Sequence, residues 1–198
     1  MTWTFHPFEI ALCGYSGSGK TTLAERLIAH LAPGLRVGYA KHSSHDFSID
    51  HPGKDTDRAR VAGALRVFIS NDRATALTTS EAPDFVQRRT MFDDCDCVLV
   101  EGWKRSPLPR IMVRDAAGAI LGEPVDPKSG PLLAWTGPDA ERPADLPEGV
   151  PYLQRDDVAG LAGVITRYFE TRVHATPLYG LVLAGRSEEH TSELQSPY

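Results

Sequence analysis

Residues 14–21 read Gly-Tyr-Ser-Gly-Ser-Gly-Lys-Thr, and no other stretch restricts the possible folds as much. The run satisfies G-x-x-x-x-G-K-[ST] at every constrained position. In such a P-loop the glycines let successive backbone N–H groups point inward at phosphate oxygens. Lys20 then supplies a point charge to the β- and γ-phosphates, and the hydroxyl of Thr21 meets a bound Mg²⁺. The candidate nucleotide-contacting residues within the loop are Gly14, Ser16, Gly17, Ser18, Gly19, Lys20 and Thr21.

The mechanism needs a strand before the loop and a helix after it. Phe8–Cys13 reads as a short buried strand, and Thr21–Ala32 as a helix with Leu23, Leu27, Ile28 and Leu31 on one face. Pro33-Gly34 stops that helix. A helix N-terminus aimed at an anion supplies unpaired N–H groups and the favourable end of the helix dipole.

At 198 residues the chain accommodates one domain with some length left over, and 41% hydrophobic residues suffice for a real core. Its 21 basic and 26 acidic residues give a net charge of −5, which argues against nucleic-acid binding by bulk electrostatics. Cys13, Cys95 and Cys97 lack C-x-x-C spacing and fall in or beside expected strands, so they read as small buried hydrophobes in a reducing compartment. Residues 1–8 do not resemble a signal peptide, and no apolar run approaches the roughly 18 residues of a membrane span. The expectation is a cytoplasmic protein without a membrane partner.

Leu35–Lys41 reads as a second strand running into a polar loop, residues 41–55, rich in His, Asp and Lys. In an open parallel sheet, ligands bind beyond the carboxyl ends of the strands, so this loop faces the nucleotide. His42, His45 and Asp46 lack the spacing of a dedicated transition-metal site. A carboxylate reaching Mg²⁺ through water, with imidazoles and lysines on phosphate or a second substrate, suits a P-loop protein better; the plain alternative is solvated side chains. Asp55–Ala64 and Pro83–Phe92 read as helices, with strands at Leu65–Ser70 and Ala74–Thr79 between them and Arg88-Arg89 on a solvated face.

The second strong signal is Asp94-Cys95-Asp96-Cys97-Val98-Leu99-Val100-Glu101-Gly102. An apolar run ending in an acid matches the Walker B arrangement, where the acid organises Mg²⁺ beside the P-loop. Glu101 replaces the usual Asp, so it either holds the metal's water shell or positions an attacking water. Glu101 and Asp46 are the candidate catalytic residues, and Thr21 and Glu101 the candidate metal ligands. Further strands are expected at Arg110–Arg114, Leu132–Thr136 and, as an edge, Tyr152–Gln154. A closing helix capped by Asp156 or Asp157 carries Val158, Leu161, Ile165, Tyr168 and Phe169 at helical spacing. The whole is an α/β P-loop NTPase fold, a mostly parallel sheet with helices on both faces.

Taken together, the P-loop, Lys41-His42-x-x-His45-Asp46, Asp50-x-Pro52-Gly53-Lys54-Asp55 and Leu99-Val100-Glu101-Gly102-x-Lys104 resemble the molybdopterin-guanine dinucleotide biosynthesis protein B family over roughly Ile10–Val173. The resemblance implies binding of GTP with Mg²⁺, weak GTP hydrolysis, a homodimer, and support for the guanylyltransferase that joins GMP to molybdopterin, with molybdopterin itself a further possible contact. It adds Thr22 to the residues on phosphate and metal. No N-K-x-D motif is present, so preference for guanine rests on the resemblance.

By this reading residues 1–174 form the GTP-binding domain. Residues 175–187, with Gly180-Leu181-Val182-Leu183-Ala184-Gly185-Arg186-Ser187, resemble the start of a fused guanylyltransferase, and residues 188–198 a disordered, foreign-looking tail. Two functions of other classes compete with the adapter: a small-molecule P-loop kinase with Asp46 as base, and a non-catalytic module holding nucleotide as a structural ligand.

Overall fold

The structure, a computed structural model, describes residues 6, 8–43, 47–104, 106–117 and 130–175. Six strands form the main sheet: β1 (Glu9–Cys13), β2 (Val37–Lys41), β5 (Cys97–Glu101), β6 (Arg110–Val113), β7 (Leu132–Gly137) and β8 (Tyr152–Gln154). Their order is β2-β5-β1-β6-β7-β8, and every neighbouring pair is parallel. β8 is an edge, as its short polar-flanked run predicts. β1 and β5 are buried at every position, the pattern of central strands covered on both faces.

Side-chain alternation sorts the core into two layers. Ile10, Leu12, Leu99, Ile111, Val113 and Ala134 point to one face, where they meet α1 (Lys20–Leu31) and α4 (Val158–Ala175) through Leu23, Leu27, Leu161 and Ile165. Ala11, Cys13, Val98 and Val100 point to the other, against Leu108, Phe92 and Trp103. The apolar stripes of α1 and α4 thus serve as core. Asp157 caps α4 by accepting the Gly160 N–H at 2.9 Å, while Asp156 pairs instead with Arg26 on α1. Cys13 and Cys97 are buried free thiols whose burial pushes each pKa up to about 11, whereas Cys95 is only half-buried.

The middle of the chain departs from the expected pattern. α2 (Asp55–Val61) stops before Ala64, because Gly63 takes a left-handed φ of 103°. α3 (Phe85–Thr90) leaves Pro83 outside, since Asp84 and Gln87 close a reciprocal capping box at its start. Among the described residues β3 (Arg66–Ser70) and β4 (Thr75–Thr79) stand apart from the main sheet and pair with each other, antiparallel. Asn71 sets their turn, its side chain accepting the N–H groups of Arg73 and Ala74. On this ribbon Phe68, Ile69 and Leu77 remain 65%, 52% and 56% exposed.

His45 and Asp46 lie outside the described residues, as do residues 176–198 with the transferase-like start and the tail. No helix among the described residues is long and apolar enough to cross a membrane.

Leu99 is fully buried in the α1/α4 layer. Leu99→Ala should lower unfolding free energy by about 2–5 kcal/mol in denaturant titration, the usual range for a leucine cavity in a core. Leu77→Ala on the exposed ribbon should cost about 0.5 kcal/mol or less when measured on dilute protein.

Candidate functional site

The loop between β1 and α1 turns on two glycines, Gly17 at φ 78° and Gly19 at φ 88°, conformations that L side chains rarely adopt. Gly19 is the N-cap of α1 and offers no side-chain acceptor, and the helix carries no acid in its first turn. The first-turn N–H groups and the positive end of the dipole are therefore left for an anion. Gly14 is buried, Ser16 and Gly17 are exposed at the tip, and Thr21 and Thr22 open α1 on its exposed side. Ser18 is buried, with a hydroxyl that has no hydrogen-bond partner. Lys20 folds back to donate to the Tyr15 carbonyl at 2.5 Å. Burial pushes its pKa below the ordinary lysine value; Glu101 opposes this, and Lys104 adds to it.

Register brings the acid to the loop. Glu101 closes β5 opposite Lys41 of β2 and Leu12 of β1, and its side chain shares the face of Leu99, toward α1. There both carboxylate oxygens stand 3.0 Å from the hydroxyl of Thr21, which donates to them. Tyr39 donates its phenol to Glu101 Oε2 at 2.6 Å, and the Lys41 ammonium lies 3.1 Å from Oε1. Although only 5% exposed, the carboxylate is satisfied on both oxygens. Burial pushes its pKa up, but hydrogen bonds from Tyr39, Lys41 and Thr21, with the Lys41 charge, outweigh that and hold it below the ordinary value. Thr21 and Glu101 make a hard-oxygen pair of the kind Mg²⁺ takes. Among the described residues no group of three or more His, Cys, Asp or Glu could hold a metal; His45 and Asp46 lie outside them.

The turn after β5 is strained. Gly102 (φ 95°) and Trp103 (φ 45°) are both left-handed, and a tryptophan there is a true outlier. A Cβ on Gly102 would stand 2.9 Å from the His42 carbonyl, so only glycine fits. The turn stacks Trp103 on His42, with centroids 5.0 Å apart and planes 7° from parallel. It also sets the Lys104 ammonium 4.3 Å above the ring of Tyr15 in the P-loop. Arg110, buried, holds this turn by donating to the Lys104 carbonyl and to the Gly130 carbonyl.

Sequence reading names the P-loop residues and Glu101 as candidates, and the structure sets three more side chains beside them. Tyr39 was legible in principle, since strand alternation puts it on the face of Lys41. Lys104 was seen only as a motif letter. Arg155, whose guanidinium packs on Gly19, carries no local signal at all.

Because the folded pKa of Glu101 lies below its ordinary value of 4.5, its stabilising contribution is present at neutral pH and is lost as pH falls through the depressed value. Glu101→Gln should therefore flatten the decline of melting temperature on acidification below pH 4.5. Thermal melts of both proteins across that range check it.

Residues 9–125 match the family described as molybdopterin guanine dinucleotide synthesis protein B, MobB. The molybdopterin-guanine dinucleotide biosynthesis adapter protein of Escherichia coli is 35% identical over 170 residues, covering 81% of this chain and 93% of that protein. Its Haemophilus influenzae counterpart is 42% identical over 110 residues, covering 52% of this chain and 61% of the counterpart's length. Among solved structures, Bacillus subtilis MobB superposes with a TM-score of 0.66 at 23% identity, covering 80% of this chain and 96% of that one, a likeness of fold. With the family match spanning over half of the chain and the adapter relative aligned over most of it, the chain belongs to the MobB family.

Proposed function

We propose that this chain is a GTP-binding adapter in molybdopterin guanine dinucleotide biosynthesis, holding GTP with Mg²⁺ for a guanylyltransferase partner in the cytoplasm and hydrolysing it slowly at most. The observation that carries the reading is the junction of Glu101 and Thr21 at the uncapped start of α1, beside two left-handed glycines. Phosphate would lie on the first-turn N–H groups of α1, with Lys20 released from the Tyr15 carbonyl to meet it. Mg²⁺, held by Thr21 and Glu101, would neutralise charge on the β- and γ-oxygens. Lys41 and Lys104 add positive charge on either side of the loop.

Nothing among the described residues places a general base against an attacking water, since Glu101 is committed to Thr21, Tyr39 and Lys41. A carboxylate committed in this way serves to hold the metal site, which supports slow turnover. Asp46 remains proposed as a further contributor to the site.

A homodimer is part of the same proposal. The β3–β4 ribbon presents Phe68, Ile69 and Leu77 to solvent and pairs with no other strand among the described residues, so a second copy of this chain laid against it would bury surface the protomer leaves wet.

Lys20→Ala should weaken GTP binding about 10- to 150-fold in calorimetry, the worth of a charged hydrogen bond, while leaving the melting temperature unchanged within a few degrees. Unchanged GTP affinity would overturn the site. Phe68→Asp should shift the protein to monomer in sedimentation velocity while retaining GTP affinity. A monomeric parent protein would remove the dimer.

A further inference from the structure

Which side of the P-loop receives the base follows from where the metal pair stands. Glu101 ends β5 on one side of β1 and meets Thr21 there, so a Mg²⁺ held by this pair would take the terminal phosphates on the β5 side. The α-phosphate and nucleoside would then extend in the opposite direction, over β6, β7 and β8. These strands run parallel to β1, so their C-terminal ends open on the same edge of the sheet as the loop.

The residue found there is Arg155, just past the end of β8. Its backbone N–H donates to the Gly137 carbonyl at the end of β7 at 2.8 Å, and its Nη2 donates to the Arg114 carbonyl at 2.6 Å. Its guanidinium packs against the open face of Gly19, with Nη1 2.9 Å, Cζ 3.2 Å and Nε 3.5 Å from where a Cβ would stand. Its Nε is buried and has no hydrogen-bond partner. A buried, unsatisfied donor on an arginine costs stability, so its retention at the rim of a binding loop points to a ligand acceptor. The acids nearby are engaged elsewhere, Asp139 and Asp145 with Arg114 and Asp156 with Arg26.

Resting on the GTP-binding reading, we propose that Arg155 determines base specificity by donating to the O6 and N7 edge of guanine. Guanine presents two acceptors on that edge, whereas adenine presents one acceptor and one donor. A guanidinium pairs with the first and leaves a repelled amino group against the second. Guanine choice in this chain thus comes from an arginine at the end of β8, where an N-K-x-D carboxylate is absent from the sequence.

The test is a calorimetric titration of the full chain with GTP, ATP and 7-deaza-GTP in Mg²⁺, for the parent protein, Arg155→Ala and Lys20→Ala. Arg155→Ala should lose about 5- to 150-fold in GTP affinity, the discrimination of one bidentate pair, with ATP affinity changed less than about twofold. The parent should bind 7-deaza-GTP several-fold more weakly than GTP, a ligand-side measurement that needs no variant to fold. Equal losses of GTP and ATP in Arg155→Ala would make Arg155 a phosphate contact and overturn the proposal, as would equal affinity of the parent for GTP and 7-deaza-GTP. If the parent bound no nucleotide, or Lys20→Ala bound as well as the parent, the GTP-binding reading would fall and this proposal with it. Failure of base selectivity alone leaves that reading intact.

Discussion

A carboxylate 5% exposed at the end of the central strand survives as an anion only where donors surround it, and the organisation around Glu101 satisfies that demand. Two donors arrive from β2, through Tyr39 and Lys41, and one from the first turn of α1, through Thr21. Three separate segments are therefore fixed relative to one another at a single point. Removing any donor leaves charge without compensation, which costs more than a typical surface contact. The same knot points both Glu101 oxygens at the helix start, so the arrangement that keeps the acid charged also keeps it beside the phosphate loop.

Much of this was legible because its causes are local. The glycine pattern of residues 14–21 encodes its own backbone, and Val98–Glu101 announces a strand buried on both faces. The stripe of Leu161 and Ile165 marks α4 as core by spacing alone. What was not legible depends on partner choice between distant segments. The strand-forming residues of β3 and β4 read like any others, and nothing in their alternation says that among the described residues they pair with each other and not with the main sheet. α2 was read too long because a helical run gives no warning that Gly63 will turn left-handed. Arg155 was invisible because its meaning is its contact with Gly19, far away in the chain.

The turn after β5 shows where local preference yields to tertiary demand. Trp103 holds a backbone conformation that a bulky residue avoids, and such strain persists only when its surroundings over-determine it. Here the His42 stack on one side and the Arg110 bond to the Lys104 carbonyl on the other supply that constraint. Lys104 is consequently positioned by rigid neighbours, although its own side chain is long and flexible.

The β3–β4 ribbon shares no strand with the sheet whose edge builds the site. Substitutions on ribbon and site residues that share no contacting partner add in their effects. The exposed apolar face of the ribbon can thus be altered without disturbing the hydrogen bonds that hold Glu101, so surface chemistry and site integrity are tunable separately.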